Sequence, residues 1–259
     1  MSSKQEADVH YTTTYSNTIE TDFSKLNWMP GVKMSPESQE FKPFNMDAFR
    51  PRDVREALKN SNQKSSPGPD GVTFEMLYKL TALHKPLATL FNKVLQNGTP
   101  PATWGESIIK LFHKKGPAND PTNFCPIALS NTVAKTFHLI LSHRTTKFLT
   151  ENKLIDPSIQ KAFLPGVSGC TEHNCVMSET IKHIKHMKKT LHITFFDLAD
   201  AFGSVPHDVI LMSLQRNHFP QEIQEYFKNF YSNIKSKVTT KQAYCAGCRR
   251  RPFPMQLHQ

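Results

Sequence analysis

Asp197 and Asp200 stand three residues apart at the end of 191–198, a run dominated by apolar and β-forming residues. Two carboxylates at the end of a packed strand can hold Mg²⁺ through hard oxygen ligands and leave coordination positions for phosphates and water. Aspartate is also an everyday turn residue, so spacing alone leaves both readings open. Lys110, Lys114 and Lys115 form a second group, placed on and after a strand, from which lysines can neutralise phosphates without reading bases. A solvated surface turn would carry the same residues. Other constellations offer less chemistry. The loop at 65–71 has two prolines and two glycines but lacks the Gly-Lys-Ser/Thr ending of a phosphate-cradling loop. His183 and His186 have no acidic or cysteine ligand beside them and read as part of a solvated face. Cys245 and Cys248 have only His258 nearby, short of the four ligands of a structural zinc. No Gly-x-Ser-x-Gly elbow occurs, which leaves hydrolase chemistry unsupported.

The elements that must position these groups can be read from periodicity. Val54, Ala57 and Leu58 behind Pro51 predict a helix that ends at 60–62. Phe74, Leu77 and Leu80 predict a second. Leu87, Leu90, Phe91, Val94 and Leu95 follow the i, i+3, i+4 pattern and stop at Asn97-Gly98. Residues 107–113 and 124–129 read as strands joined by the polar, breaker-rich connection 114–123. Val133, Phe137, Ile140, Leu141 and Phe148 mark one long helix. Val176, Met177, Ile181, Ile184 and Met187 mark another, whose far face carries Lys182, Lys185, Lys188 and Lys189. The run 191–198 reads as a buried strand. Helices are expected near Pro206 and after Pro220, the latter carrying Ile223, Phe227, Phe230 and Tyr231 on one face, with an exposed strand at 235–240. Helices mixed with a hairpin and further strands define an α+β fold.

Charge is unevenly spread. Lys and Arg number 32 against 22 acids, a net charge of +10. The first 49 residues hold four lysines and seven acids, which leaves 28 basic against 15 acidic groups in the rest. A body this basic favours a polyanionic partner such as nucleic acid over acidic small molecules or basic proteins. Residues 1–48 are polar and aperiodic and read as a loosely ordered leader. Their acids occupy the place where a signal peptide needs an apolar stretch, and five cysteines without even spacing fit reduced thiols. The expectation is an intracellular protein, cytoplasmic or nuclear, without a membrane span.

Five strings, taken in order, carry a resemblance. They are Ser66-Pro67-Gly68-Pro69-Asp70-Gly71; Ile108 with Lys110, Leu111, Lys114, Lys115 and Gly116; Asn123-Phe124-Cys125-Pro126-Ile127 through Lys135; Gln160-Lys161-Ala162-Phe163; and Phe196-Asp197-Leu198-Ala199-Asp200-Ala201-Phe202 with Val205-Pro206-His207. From about residue 50 to 240 the chain resembles the reverse transcriptase of non-LTR (LINE-type) retrotransposons. The resemblance implies a fingers-like subdomain at 50–190 and part of a palm at 191–240. Asp197 would be the first catalytic aspartate, binding Mg²⁺ with help from the Leu198 carbonyl. Ala201 and Phe202 would form the nucleotide floor and the steric gate against a ribose 2′-hydroxyl, with Asp200 at a variable position beside them. Lys114 would meet the triphosphate with Lys110 nearby, and Lys135 would be a basic residue of the fingers facing template. RNA template, DNA primer and dNTP are the implied partners, to which Lys182 and Lys185 would add phosphate contacts.

The sequence also departs from that family. Cys125 stands where the family usually has Arg, and losing such a charge-assisted hydrogen bond costs about 1.5 to 3 kcal/mol of nucleotide affinity. Gly203 stands where Asp is common. The aromatic-Ala-Asp-Asp hairpin of the family is missing: after Asp208 there is no aspartate, and Glu222 and Glu225 are the only acids. Residues 241–259 read as a non-homologous tail. The expectation is therefore a C-terminally truncated RNA-directed DNA polymerase, inactive as it stands. The alternative is a non-catalytic basic module that binds RNA or DNA through the faces around Lys114 and Lys182.

Overall fold

The computed structural model describes residues 41–117, 120–158, 160–162, 164, 166–197 and 205–244. It is an α+β arrangement of helices α1 (Pro51–Asn60), α2 (Phe74–Lys79), α3 (His84–Asn97), α4 (Thr132–Glu151), α5 (Gly169–His186), α6 (His207–Arg216) and α7 (Gln221–Ser232). Strands β1 (Glu106–His113), β2 (Phe124–Ser130) and β3 (Lys235–Tyr244) form one sheet. Among the described residues no helix is long and apolar enough to cross a membrane.

Local chemistry sets the helix ends. Pro51 opens α1, where the Asp53 carboxylate accepts from the Arg50 backbone N–H at 2.8 Å. Thr73 caps α2 and Asn131 caps α4, each side chain accepting a first-turn N–H. Gly98, at φ 59°, ends α3, and a β-carbon there would meet the Cβ of Glu225 at 2.9 Å, so a glycine lets α7 close on α3. Asn229 fastens that contact by donating to the Gly98 carbonyl at 2.8 Å.

The helices share one core. Val54 and Leu58 of α1, Phe91 and Val94 of α3, Phe137 and Leu141 of α4, and Ile223 and Tyr226 of α7 are all buried. Phe137 lies at its centre, with ring centroids 5.4 Å from Phe91, 5.3 Å from Trp104 and 5.0 Å from Tyr226. Trp104, buried just before β1, ties the sheet to this cluster. Tyr226 meets His138 by a buried hydrogen bond of 2.5 Å between Oη and Nε2. Burial raises the Tyr226 phenol well above its ordinary pKa, with Tyr231 adding to the effect, and pushes Tyr231 up to about 12.

The sheet runs in the order β2-β1-β3, with β1 antiparallel to β2 and parallel to β3. The expected hairpin is present. The strand expected at 235–240 extends to Tyr244, and its pairing joins the region assigned to the palm directly to the fingers-like hairpin. α7 likewise packs on α3, so residue 190 does not divide the packing.

Three expectations are corrected. The leader expected through residue 48 is packed from Phe41 onward. Asn152 pairs with the Lys42 backbone, its Oδ1 accepting at 2.8 Å and its Nδ2 donating at 3.1 Å. Asn92 clasps the Phe49 backbone in the same way, and Phe44 sinks between Phe148 and Phe219. The strand expected at 191–198 is not formed: residues 191–197 belong to no helix or strand and are exposed. A strand needs neighbours to bond its backbone and cover its side chains, and the three described strands pair only with one another. The apolar stripe of α5 is only partly covered: Met177, Ile181 and Ile184 are half-buried, while Val176 and Met187 are exposed.

Candidate nucleic-acid interface

The turn that presents Lys114 and Lys115 is built by its own backbone and neighbouring polar groups. Lys114 N–H donates to the Asn123 carbonyl at 2.8 Å and closes the hairpin. His113 Nε2 lies 3.0 Å from the Gly116 carbonyl, and Asn123 Nδ2 donates to the Pro117 carbonyl at 3.0 Å. Gly116, at φ 84°, has the Asn123 side chain so close that a β-carbon would touch it at 2.8 Å. Both lysines are exposed on this fixed turn.

Strand register extends the basic surface. β1 pairs Glu106 with Lys235 and Ile108 with Lys237, while Lys110 pairs with Ile127 and Phe112 with Cys125 across β2. Paired residues share a face and alternate residues swap faces. Glu106, Ile108, Lys110, Phe112, Cys125, Ile127, Lys235 and Lys237 therefore lie on one side. The opposite side is identified by the Ser107–Ser236 hydroxyl contact at 2.7 Å and by the cluster of Leu111, Ile109, Phe124 and Val238. Lys235 and Lys237 are exposed and Lys110 and Phe112 are half-buried. Glu106 is the one acid on that side among the described residues. The face thus combines cationic groups with a half-exposed aromatic ring, a combination that suits single-stranded nucleic acid. Cys125, half-buried with a free thiol, lies on the same face, where the resembled family has a guanidinium.

Sequence reading missed Lys235 and Lys237 as site residues. Their i, i+2 spacing marked them as sharing a strand face, but nothing local revealed which strand would receive them.

The Gly/Pro loop sits against the junction of β2 and α4. A β-carbon on Gly68 would run into the Ser130 carbonyl, and Thr132 Oγ1 donates to the Val72 carbonyl at 2.6 Å. Lys135 extends to the same loop, with Nζ 3.4 Å from the Ser66 carbonyl and 5.5 Å from the centre of the Phe74 ring. Burial lowers its pKa, and the Asp70 carboxylate acts in the opposite sense. Lys135 is thus a strap across the loop as well as a cation.

The remaining sequence-derived residues are more scattered. Lys182 and Lys185 are exposed on α5, Lys182 paired with Glu179 at 2.7 Å. His183 and His186 lie exposed on the same helix. Asp197 is exposed. Leu198, Asp200, Ala201, Phe202 and Gly203 fall outside the described residues, as do Cys245, Cys248 and His258. Among the described residues no three His, Cys, Asp or Glu side chains cluster as metal ligands. A lone exposed carboxylate does not supply the several oxygens a hard divalent cation takes, so Asp197 by itself does not fit a magnesium site.

The curated homologues of this chain are Pol and reverse-transcriptase proteins of non-LTR retrotransposons. Over 176 residues, 68% of the chain, it is 30% identical to the retrovirus-related Pol polyprotein from type-1 retrotransposable element R2 of Nasonia vitripennis. It is 28% identical over 178 residues to the corresponding R2 polyprotein of Bradysia coprophila. Over 228 residues it is 24% identical to the RNA-directed DNA polymerase from mobile element jockey of Drosophila melanogaster. The chain spans only 16%, 19% and 24% of these three relatives. No protein-family model matches it.

Proposed function

We propose that the chain is the fingers and first palm segment of a non-LTR retrotransposon reverse transcriptase, and that the 259-residue chain binds template RNA without copying it. The observation that carries this reading is the single sheet face on which Lys235 and Lys237 of β3 join Lys110 of β1, beside the turn bearing Lys114 and Lys115. In this reading the exposed lysines track the phosphates of single-stranded template and Phe112 offers a ring for base stacking. Lys114 and Lys110 meet the triphosphate of a dNTP, and Lys182 and Lys185 add phosphate contacts on α5. Asp197, the Leu198 carbonyl and Asp200 supply the start of a Mg²⁺ site, and Ala201 and Phe202 supply the nucleotide floor and gate.

Two-metal phosphoryl transfer needs carboxylates enough to hold both cations. After Asp208 the sequence offers only Glu222 and Glu225, both on α7. The expected result of a primer-extension assay with RNA template, DNA primer, Mg²⁺ and dNTPs is therefore no product, alongside measurable binding of the template. Extension by the purified chain overturns the reading. Binding that ignores both Mg²⁺ and Asp197→Asn, and that treats RNA and DNA alike, identifies the chain instead as a non-catalytic nucleic-acid-binding module.

A further inference from the structure

The segment 189–197 follows α5 and carries Leu191, Ile193, Phe195 and Phe196 into solvent, the two phenylalanines 77% and 94% exposed. Beyond the Lys189 N–H, its backbone groups form no hydrogen bond with any described residue. From 190 to 196 it contains no Pro, Gly, Asp, Glu, Lys or Arg and is rich in β-forming residues. An uncharged stretch of β-forming residues whose backbone pairs with no other described residue is a template for strand addition.

We propose that two copies of this chain associate through 189–197 as an antiparallel strand pair centred on Ile193. Area and charge point to a second copy as the occupant. The two phenylalanine side chains leave about 340 Å² in water when each is taken as about 200 Å². Adding Leu191 and Ile193 brings this to roughly 500 Å² per copy, or roughly 1,000 Å² available to a pair, about the size a specific interface needs. Charge selects the direction. The uncharged stretch is bounded by Lys189 and Asp197, so a parallel in-register pair sets lysine on lysine and aspartate on aspartate. The antiparallel pair sets Lys189 opposite the second copy's Asp197 at both ends, with Leu191 opposite its Phe195 and Ile193 opposite itself. Such an arrangement is a closed two-fold interface, in which each copy presents the same surface. The proposal shares Asp197 with the polymerase reading, and Ile193→Lys, which leaves both Asp197 and the sheet face in place, separates the two.

The test is sedimentation equilibrium of the full chain after nuclease treatment, at micromolar concentrations. The expected result is a dimer that Ile193→Lys converts to monomer while helical content and melting stay unchanged, because Ile193 lies outside the core. A second set of variants does not depend on the first. Lys189→Asp weakens the dimer roughly two- to thirtyfold, the range for two symmetric cross-strand charge pairs, and adding Asp197→Lys restores it. A monomeric wild type, a dimer that persists in Ile193→Lys, or a charge swap that fails to restore association each overturns the proposal. Association abolished by the nuclease also overturns it.

Discussion

Lys235→Ala/Lys237→Ala tests the sheet face directly, because the pairing of β3 with β1 is what brings these residues to the hairpin. Four lysines are exposed on the face and its turn: Lys114, Lys115, Lys235 and Lys237. Each phosphate contact on a single strand contributes about −0.7 to the slope of log K against log salt, so four contacts give about −2.8. Raising salt fourfold should then weaken RNA binding by roughly 50-fold in the wild type. With two lysines gone the slope falls to about −1.4, and the same change in salt costs only roughly sevenfold. Both variants leave the fold intact, since neither side chain is buried. Fluorescence anisotropy of a labelled single-stranded RNA across a salt series gives the slope. An unchanged slope in this variant, with a reduced slope in Lys182→Ala/Lys185→Ala, refutes the sheet face and moves the interface to α5.

Three other perturbations follow from the packing. Gly68→Ala drives a methyl into the Ser130 carbonyl, should cost about 1 to 3 kcal/mol, and is checked by urea unfolding; wild-type stability would rule out the close approach of loop and junction. Tyr226→Phe removes the hydroxyl bonded to His138 and should lower stability by about 1 to 3 kcal/mol, against no loss if that contact is idle. Alkali should destabilise the fold, because the Tyr231 phenol rises from 10 to about 12 on folding and the folded state therefore holds its proton longer. This stabilisation is complete below pH 10 and is lost as pH climbs to about 12, some 2 to 3 kcal/mol in all. Denaturation midpoints measured against tyrosinate absorbance across that range report it, and a flat profile contradicts the assignment.

Helical periodicity made most of the bundle legible. Val54 with Leu58, the Leu87 to Leu95 stripe, and Ile223 with Phe230 all face the core they were expected to face. The hairpin was legible too, since its breaker-rich turn separates two β-forming runs. What escaped the sequence is long-range. Asn92 and Asn152 look like surface amides, yet each clasps backbone far along the chain, with 110 positions between Asn152 and Lys42. The composition of 191–198 predicted a strand that is not formed, because whether a neighbour exists to pair with such a run is not a local property. The same limit hid half of the lysine face. Lys235 and Lys237 were visible as residues of a strand, and only the register with β1 made them part of a site.

That register has a consequence for how the protein comes into being. Ser107 and Ser236, which touch across the sheet, are 129 positions apart. At translation rates of about 5 to 20 residues per second, β1 emerges roughly ten seconds before the strand that flanks it. For that interval the nascent hairpin offers an open edge to whatever chain is nearby, and contacts this distant are slow to close once both ends exist. The lysine-bearing sheet face is thus assembled last. A ribosome that stalls before residue 235 releases a chain with its helical core largely made and its cationic platform half-built.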